Sequence, residues 1–415
     1  MDIPLILIPG IFGSVYTPTP LGKIWSFGPA GYVYNPFVDN LKNLGFIEDK
    51  NLFICYYEWW KSVPDSINTL IDVINTAKLK TKTNKVNLLC HSMGGLLARA
   101  YIQSDIFNND VDKVIFLASP HLGAANAYYG WEGATVPPDN DDFVNILFKG
   151  FLWAFSKMKG ETDAVRVIRE YIPSVKDLLP SLGYENYLFK YTANNSRIIF
   201  KNISYMKEQN IFLNNLNNNQ DDFYKKIKHI FCFSGDGIFT NKFIQVEETD
   251  NDKIWPDGKP VGIIRDEKGD GTVLRKSAFG IMGEQFIIKS SHVGILNESL
   301  QDLSSILGLR EKPKINILEK IFSYVSILTD KKVMILDRSN KTKSYDLFGE
   351  LTWHFASKPK GEYEISILQP GISNIYIQTN KQTISKRINT AKKHFRSIKS
   401  VIEIDEEGNF ELKER

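Results

Sequence analysis

The run Cys90-His91-Ser92-Met93-Gly94-Gly95 sits between an apolar stretch at 85–90 and a segment of helical character from about 94 to 104. A serine hydroxyl is a weak nucleophile until a base takes its proton and an acid orients that base. Strand, sharp turn and helix form the setting of a nucleophile elbow, where the serine is lifted into strained backbone and its flanking positions must be small. Gly94 meets that demand two residues after Ser92. Cys90 stands where the pattern G-x-S-x-G has glycine; it is small enough to fit and reads as packing.

The base should be a histidine that follows both serine and acid in the chain. Of six histidines, His91 and His121 come too early, His229 falls inside an expected strand, and His354 and His394 lie in a separate C-terminal region. His292 remains, in Ser290-Ser291-His292-Val293-Gly294, between an expected strand at 285–289 and an expected helix at 295–307. A loop there would hang over the carboxyl edge of a sheet. Two acids compete for the third role. Asp270, in Gly269-Asp270-Gly271-Thr272-Val273, occupies a tight loop shortly before His292 and is preferred. Asp236, in Ser234-Gly235-Asp236-Gly237, is the alternative and otherwise has a turn role. Charge developing on a carbonyl oxygen needs preorganised N–H donors. One is expected from Met93, directly after the nucleophile, and one from Ile11 in Pro9-Gly10-Ile11-Phe12-Gly13-Ser14, with Phe12 as the fallback.

These residues need a scaffold, and the apolar pattern supplies one. Short apolar runs at 3–8, 51–57, 85–90, 113–118, 228–233, 261–264 and 285–289 read as strands. Helical spacing at 35–44 and at 65–79, the latter starting at an Asp65 cap, separates the early ones. Alternation of this kind implies a parallel sheet covered by helices on both faces, hence an α/β fold. The rhythm breaks over about 122–227, an aromatic-rich insertion with Tyr128, Tyr129, Trp131, Phe148, Phe151, Leu152, Trp153 and Phe155. It reads as a cap or lid. Trp25, Phe27 and Tyr32 crowd the loop after the oxyanion motif, and aromatic side chains at a mouth can enter a bilayer interface or pack a cap onto a core.

After Lys312-Pro313 the pattern turns to β-like runs at 332–336, 351–356, 362–368 and 373–379, a small antiparallel domain of sandwich type. The expected division is therefore a catalytic domain over 1–309 and an accessory β domain over 313–415. Ile384, Ile388, Ala391, Phe395 and Ile398 fit a helical stripe, although their neighbours also alternate.

The chain has 415 residues, 43% hydrophobic and 24% charged, enough for two domains with a large core and too ordered in composition for a disordered chain. Three cysteines, an odd number, argue against a disulfide framework. No metal-spaced Cys/His cluster, phosphate-binding glycine loop or membrane-spanning run is present, so no metal or other cofactor is expected. The opening MDIPLILIPG carries an acid where a signal peptide has basic residues. A cytoplasmic protein is expected, or a secreted one whose leader has been removed. Residues from 310 onward carry 20 Lys/Arg against 14 Asp/Glu. Seven of the cations (Lys381, Lys386, Arg387, Lys392, Lys393, Arg396, Lys399) fall in one stretch free of acids, which fits either an anionic membrane surface or a solvated face answering Glu403, Asp405, Glu406 and Glu407.

Taken together, the motifs resemble the lecithin:cholesterol acyltransferase-like branch of the α/β-hydrolase lipases over residues 3–308. They run in family order: the oxyanion loop at 9–14, Tyr57-Glu58-Trp59, His91-Ser92-Met93-Gly94-Gly95, Ser119-Pro120-His121-Leu122-Gly123, Pro173-Ser174 through Leu178-Leu179-Pro180, Gly269-Asp270-Gly271-Thr272-Val273 and His292. Glu58 replaces the usual Asp, and Leu274 stands where Pro often follows. The resemblance implies hydrolysis or transfer of fatty acyl groups of phospholipids or other lipid esters without a metal, on a lipid partner and not a nucleic acid. A thioesterase or amidase with the same triad, or a non-catalytic lipid-binding module, are the alternatives.

Overall fold

Six short strands make one all-parallel sheet: β1 (Leu5–Ile8), β2 (Leu52–Ile54), β3 (Val86–His91), β4 (Val111–Leu117), β5 (His229–Asp236) and β6 (Glu284–Lys289). Their order across the sheet is β6-β5-β4-β3-β1-β2. The computed structural model describes residues 3–19, 22–138, 145, 147–149, 151–152, 164–192, 197–251, 253–309, 324–329, 333–337, 344–347, 351–356, 360–367, 372–379, 381–389, 398–405 and 408–414. Every residue of β1 and of β3 is buried, as expected of strands covered on both faces, which is why β1 is an unbroken apolar run and β3 is apolar except at Asn87 and at His91 on its carboxyl end. Helix α1 (Gly31–Asn43) and helix α2 (Ile67–Thr81) fill the first crossovers, and α3 (Gly94–Ile102) follows β3 directly. Helix α2 begins after a single 3-10 turn, with Ser66 rather than Asp65 at its cap position and no side-chain cap bond.

This is the α/β-hydrolase fold. Its topology has a functional consequence: β1 has β2 on one side and β3 on the other, so the chain leaves β1 and β3 in opposite directions across the sheet. A crevice opens at the carboxyl ends of strands where the order reverses in this way. Pro9-Gly10-Ile11 and His91-Ser92 are the residues at those two ends.

The chain divides into two compact units. The first comprises Met1–Ile11, Val33–Asp142 and Val165–Ile317. Besides the parallel sheet it holds a second sheet of four strands, in the order Lys259–Asp266, Thr240–Glu247, Leu188–Tyr191, Ile198–Phe200. The apolar run at 261–264, expected among the parallel strands, belongs instead to this second sheet, where its strand runs antiparallel to Thr240–Glu247. An apolar run shows that a strand exists and is silent about its partner. The expected helix at 295–307 is two short helices, Ile295–Glu298 and Leu300–Ile306, meeting at Ser299.

The second unit comprises Phe12–Tyr32, Phe143–Ala164 and Leu318–Arg415. The boundary expected near residue 310 is therefore incomplete, because one N-terminal segment and one from the middle of the chain group with the C-terminal one. A hairpin of Val15–Thr19 and Gly22–Ser26 extends a seven-stranded antiparallel sheet, entering it through Asp346 opposite Tyr16. Tyr16 and Trp25 face each other across the hairpin, ring centroids 5.1 Å apart, so Trp25, one of the aromatics after the oxyanion motif, is a cross-strand partner. A second sheet is built from Val333–Asp337, Gly361–Ile367, Ile398–Ile404 and Phe410–Glu414. Residues of both sheets, among them Ile327, Ile375, Ile377, Ile365, Tyr363 and Ile402, share one apolar cluster, the core of a β-sandwich. Of the expected helical stripe, Ile384, Ile388 and Ile398 lie instead in strands, Thr383–Asn389 and Ile398–Ile404. Ala391, Lys392, Lys393, His394, Phe395 and Arg396 lie outside the described residues, as do Trp153 and Phe155 of the insertion.

Candidate active site

Ser92 follows β3 and precedes α3, and its backbone is left-handed with φ 53°. A non-glycine residue tolerates that region only where its surroundings over-determine it. The crowding around the turn provides the determination. A Cβ on Gly94 would lie 2.4 Å from the carbonyl oxygen of Ile8 and 2.7 Å from that of Pro9. One on Gly95 would meet the Ser119 hydroxyl. These glycines let α3 close against the ends of β1 and β4, and the resulting bend lifts Ser92 to the sheet edge. Cys90 points into the core, where burial pushes its thiol well above the ordinary range, so it remains a packed thiol.

His292 lies after β6, and Asp270 lies in the Gly269–Val273 loop. Three side chains from distant points of the sequence meet in line. His292 Nε2 is 2.9 Å from Ser92 Oγ, and His292 Nδ1 is 2.8 Å from Asp270 Oδ2. All three are buried. The other carboxylate oxygen of Asp270 accepts the backbone N–H groups of Thr272 (2.9 Å) and Val273 (2.6 Å). The His292 N–H donates back to the Asp270 carbonyl at 2.9 Å. The acid is thus fixed at both oxygens, and the loop sequence Gly-Asp-Gly-Thr-Val is the device that fixes it. Gly235 contributes by its lack of a side chain, since a Cβ there would press within 2.5 Å of the Asp270 Cβ. Asp236, the competing acid, is ion-paired with Arg275 at 3.3 Å.

The loop after β1 passes directly over Ser92. A Cβ on Gly10 would come 2.8 Å from the Ser92 Cβ and 3.3 Å from its Oγ, so the Gly10–Ile11 peptide runs beside the hydroxyl. Tyr57, of the Tyr-Glu-Trp motif, donates its hydroxyl to the Pro9 carbonyl at 2.9 Å and pins the loop from one side. Met93 sits at the start of α3, where backbone N–H groups have no intrahelical acceptor. Phe12, the fallback donor, belongs to the second unit. It has φ 62° and packs edge-on against Phe148, Phe151 and Trp353 of that unit, at 6.2, 5.8 and 6.3 Å between centroids.

Among the described residues, three further histidines lie elsewhere. His121 is buried against Phe116, and burial together with the charge of Arg99 holds it neutral. His229 is exposed at the start of β5, and His354 is buried beside Asp337 in the β-sandwich. His91 is different, because it reaches this site: its Nε2 lies 2.8 Å from the carbonyl of His292 and its Nδ1 2.7 Å from the hydroxyl of Tyr34. Sequence order had set His91 aside as a base and gave Tyr34 no role. The one available signal was the place of His91 within the elbow itself. No group of His, Cys, Asp and Glu that could hold a metal ion occurs among the described residues.

A family model described as palmitoyl protein thioesterase matches residues 47–259, just over half of the chain. The chain belongs to the palmitoyl protein thioesterase family. The matched region includes Ser92 and ends before Asp270 and His292. Lecithin-cholesterol acyltransferase-like 4 of Arabidopsis thaliana is 30% identical over 97 residues, which cover 22% of this chain and 18% of that protein. This relative supports the resemblance carried by the motifs, though the match spans less than a fifth of its length. Among solved structures, the Tle4–Tli4 complex is similar with a TM-score of 0.49 and 14% identity, covering 74% of this chain and 97% of that one. The mature form of the lipase BlEst2 of Bacillus licheniformis is similar with a TM-score of 0.41 and 15% identity, covering 74% and 92%. The family match, with the parallel-sheet topology, makes the protein a member of an α/β-hydrolase family.

Proposed function

We propose that the protein is a serine hydrolase that cleaves fatty acyl esters through a covalent acyl-enzyme. The observation that carries this reading is the unbroken line from Ser92 Oγ through His292 to Asp270, at 2.9 and 2.8 Å, with Ser92 held in left-handed backbone. Ser92 Oγ bonds to the ester carbonyl carbon as His292 Nε2 takes its proton, and the carbonyl electron pair moves onto oxygen. The N–H groups of Met93 and Ile11 receive that oxyanion. Collapse of the tetrahedral species expels the alcohol, which takes the proton back from His292 and leaves the acyl group on Ser92. Water then loses a proton to His292 and attacks the acyl carbon, releasing the acid and restoring the hydroxyl. Asp270 keeps the proton of the resting imidazole on Nδ1, so that Nε2 is free to accept.

A lipid ester is favoured by the motif resemblance and by the acyltransferase-like relative. With an alcohol in place of water at the second step, the same acyl-enzyme transfers its acyl group. A thioester substrate is the second reading, favoured by the family description. It needs no change of machinery, because a thiolate leaves more readily than an alkoxide. Turnover of matched p-nitrophenyl esters and acyl thioesters by wild type and by Ser92→Ala tests the proposal. Wild type should turn over at least one series with a preference for long chains. Ser92→Ala should lose several orders of magnitude, keeping only what binding and the oxyanion donors supply. Activity retained to a tenth of wild type would overturn it.

A further inference from the structure

Tyr34 and His91 form a second hydrogen-bonded line beside the first. Its directions are fixed by chemistry. The His292 carbonyl can only accept, so the contact at 2.8 Å from His91 Nε2 places a proton on that nitrogen. His91 is buried, and burial, followed by the charge of neighbouring His292, pushes its pKa down to about 3, so the ring is neutral and its Nδ1 carries no proton. Nδ1 must therefore accept from the Tyr34 hydroxyl at 2.7 Å. The Tyr34 oxygen in turn accepts the backbone N–H of Gly10 at 2.8 Å. The line runs in one sense from the Gly10 N–H to Tyr34, to His91 and to the His292 carbonyl.

Its two ends are the two backbones that matter most to the reaction proposed above. One is the Pro9–Gly10 peptide, directly before the one that carries the Ile11 N–H, and the other is the backbone of the base. Gly10 lies so close to Ser92 that an added Cβ would meet the Ser92 Cβ at 2.8 Å. Tyr57 holds the preceding carbonyl, that of Pro9. The His91 and His292 rings lie close, 5.0 Å between centroids. Tyr34 is carried by α1 and flanked there by buried Val33 and Phe37, so its ring has a fixed seat.

We infer that Tyr34 and His91 are positioning residues that lock the oxyanion loop and the base loop into one geometry, so that the donor at Ile11 and the imidazole of His292 are set relative to each other before substrate arrives. The inference rests on the acyl-enzyme reading. It differs from a merely structural role in what it predicts. A structural role affects stability; a positioning role affects the transition state and leaves ground-state binding alone.

The test uses the full chain and Tyr34→Phe, which keeps the ring and removes both of its bonds. Three quantities are compared with wild type on a short p-nitrophenyl ester: kcat, KM, and the inhibition constant of a phenylboronic acid, whose tetrahedral adduct on serine mimics the transition state. Expected are a fall in kcat of roughly ten- to a hundredfold, the scale on which small misplacements act, a KM within about twofold, and a boronate inhibition constant raised by the factor lost from kcat. His91→Asn, which can still meet Tyr34 but cannot reach the His292 carbonyl, should show the same pattern. The double variant should lose little more than the worse single one, because one line is broken once. Unchanged kcat and boronate affinity alongside a lowered melting temperature would overturn the inference, and so would failure of both variants to fold. Failure of the underlying reading looks different: wild type would then not react with a fluorophosphonate probe at Ser92.

Discussion

Replacing Asp270 by asparagine changes one atom and should nearly abolish turnover, for a reason contained in the loop around it. Asp270 Oδ2 faces His292 Nδ1 at 2.8 Å, while Oδ1 takes two backbone donors, Thr272 and Val273, at 2.9 and 2.6 Å. An amide has one acceptor and one donor end. If its oxygen stays with the loop, its NH2 faces Nδ1, which must then become the acceptor. The imidazole proton moves to Nε2, and Nε2 can no longer take a proton from Ser92. If the amide turns over, its NH2 meets two N–H donors and the Gly269–Val273 loop loses both bonds. The first arrangement costs less, so Asp270→Asn should fold and hold His292 in the wrong tautomer. The expected loss in kcat is about 10⁴-fold, equivalent to about 5.5 kcal/mol of transition-state stabilisation. The control is Asp236→Asn, which gives up a half-exposed ion pair with Arg275 at 3.3 Å. Such a pair is worth no more than about 1 kcal/mol of stability, and the rate should change less than about tenfold. Initial rates on a p-nitrophenyl ester, with circular dichroism for folding, decide the matter. A folded Asp270→Asn within tenfold of wild type, or a larger loss at Asp236, would refute the tautomer argument.

Gly94→Ala should prevent the elbow from forming, because its Cβ would lie 2.4 and 2.7 Å from two backbone oxygens that cannot give way; a melting temperature and rate equal to wild type would contradict this. Glu132 is buried beside Asp257, and burial first, with that charge second, raises its pKa to about 9. Its folded-state pKa exceeds the unfolded one, so its contribution to stability is complete at acid pH and is lost as pH rises toward 9, by up to about 1.4 kcal/mol per pH unit. Glu132→Gln should flatten that fall in urea midpoints measured from pH 5 to 9. Removing residues 313–415 should take away Asp346, the sheet partner of Tyr16, and Trp353, a ring partner of Phe12. Limited proteolysis should then cut the 15–26 hairpin in the truncated chain and spare it in the full one.

Most of the machinery was legible because its signals are local. Ser92 declares itself through the glycine beyond it and the apolar run before it, both consequences of a turn with no space for side chains. The Gly-Asp-Gly-Thr-Val loop declares Asp270 because a carboxylate gripped by the N–H groups two and three residues further on needs that local turn. What stayed hidden depends on partners remote in the chain. The hairpin at 15–26 reads as an aromatic loop until Asp346 is seen to pair with Tyr16. The 261–264 run looks like any buried strand until its antiparallel neighbour at 240–247 is known. Tyr34 has no local signal at all, since its role exists only where α1, the β1 loop and the elbow converge. Likewise the segment from Ile384 to Ile398 carries helical and alternating patterns together, and at its described ends strand pairing selects the second, with Ile388 in the sandwich core.

The central claim is that Ser92 becomes acylated. Wild-type protein mixed with a stoichiometric long-chain p-nitrophenyl ester should release a burst of p-nitrophenol equal to the enzyme present. Acid-quenched samples digested for mass spectrometry should carry the acyl mass on the peptide containing Ser92. Asp270→Asn should reach the same adduct far more slowly, and Ser92→Ala should show neither burst nor adduct. An acyl group found on another residue, or a full burst from Ser92→Ala, would contradict the account.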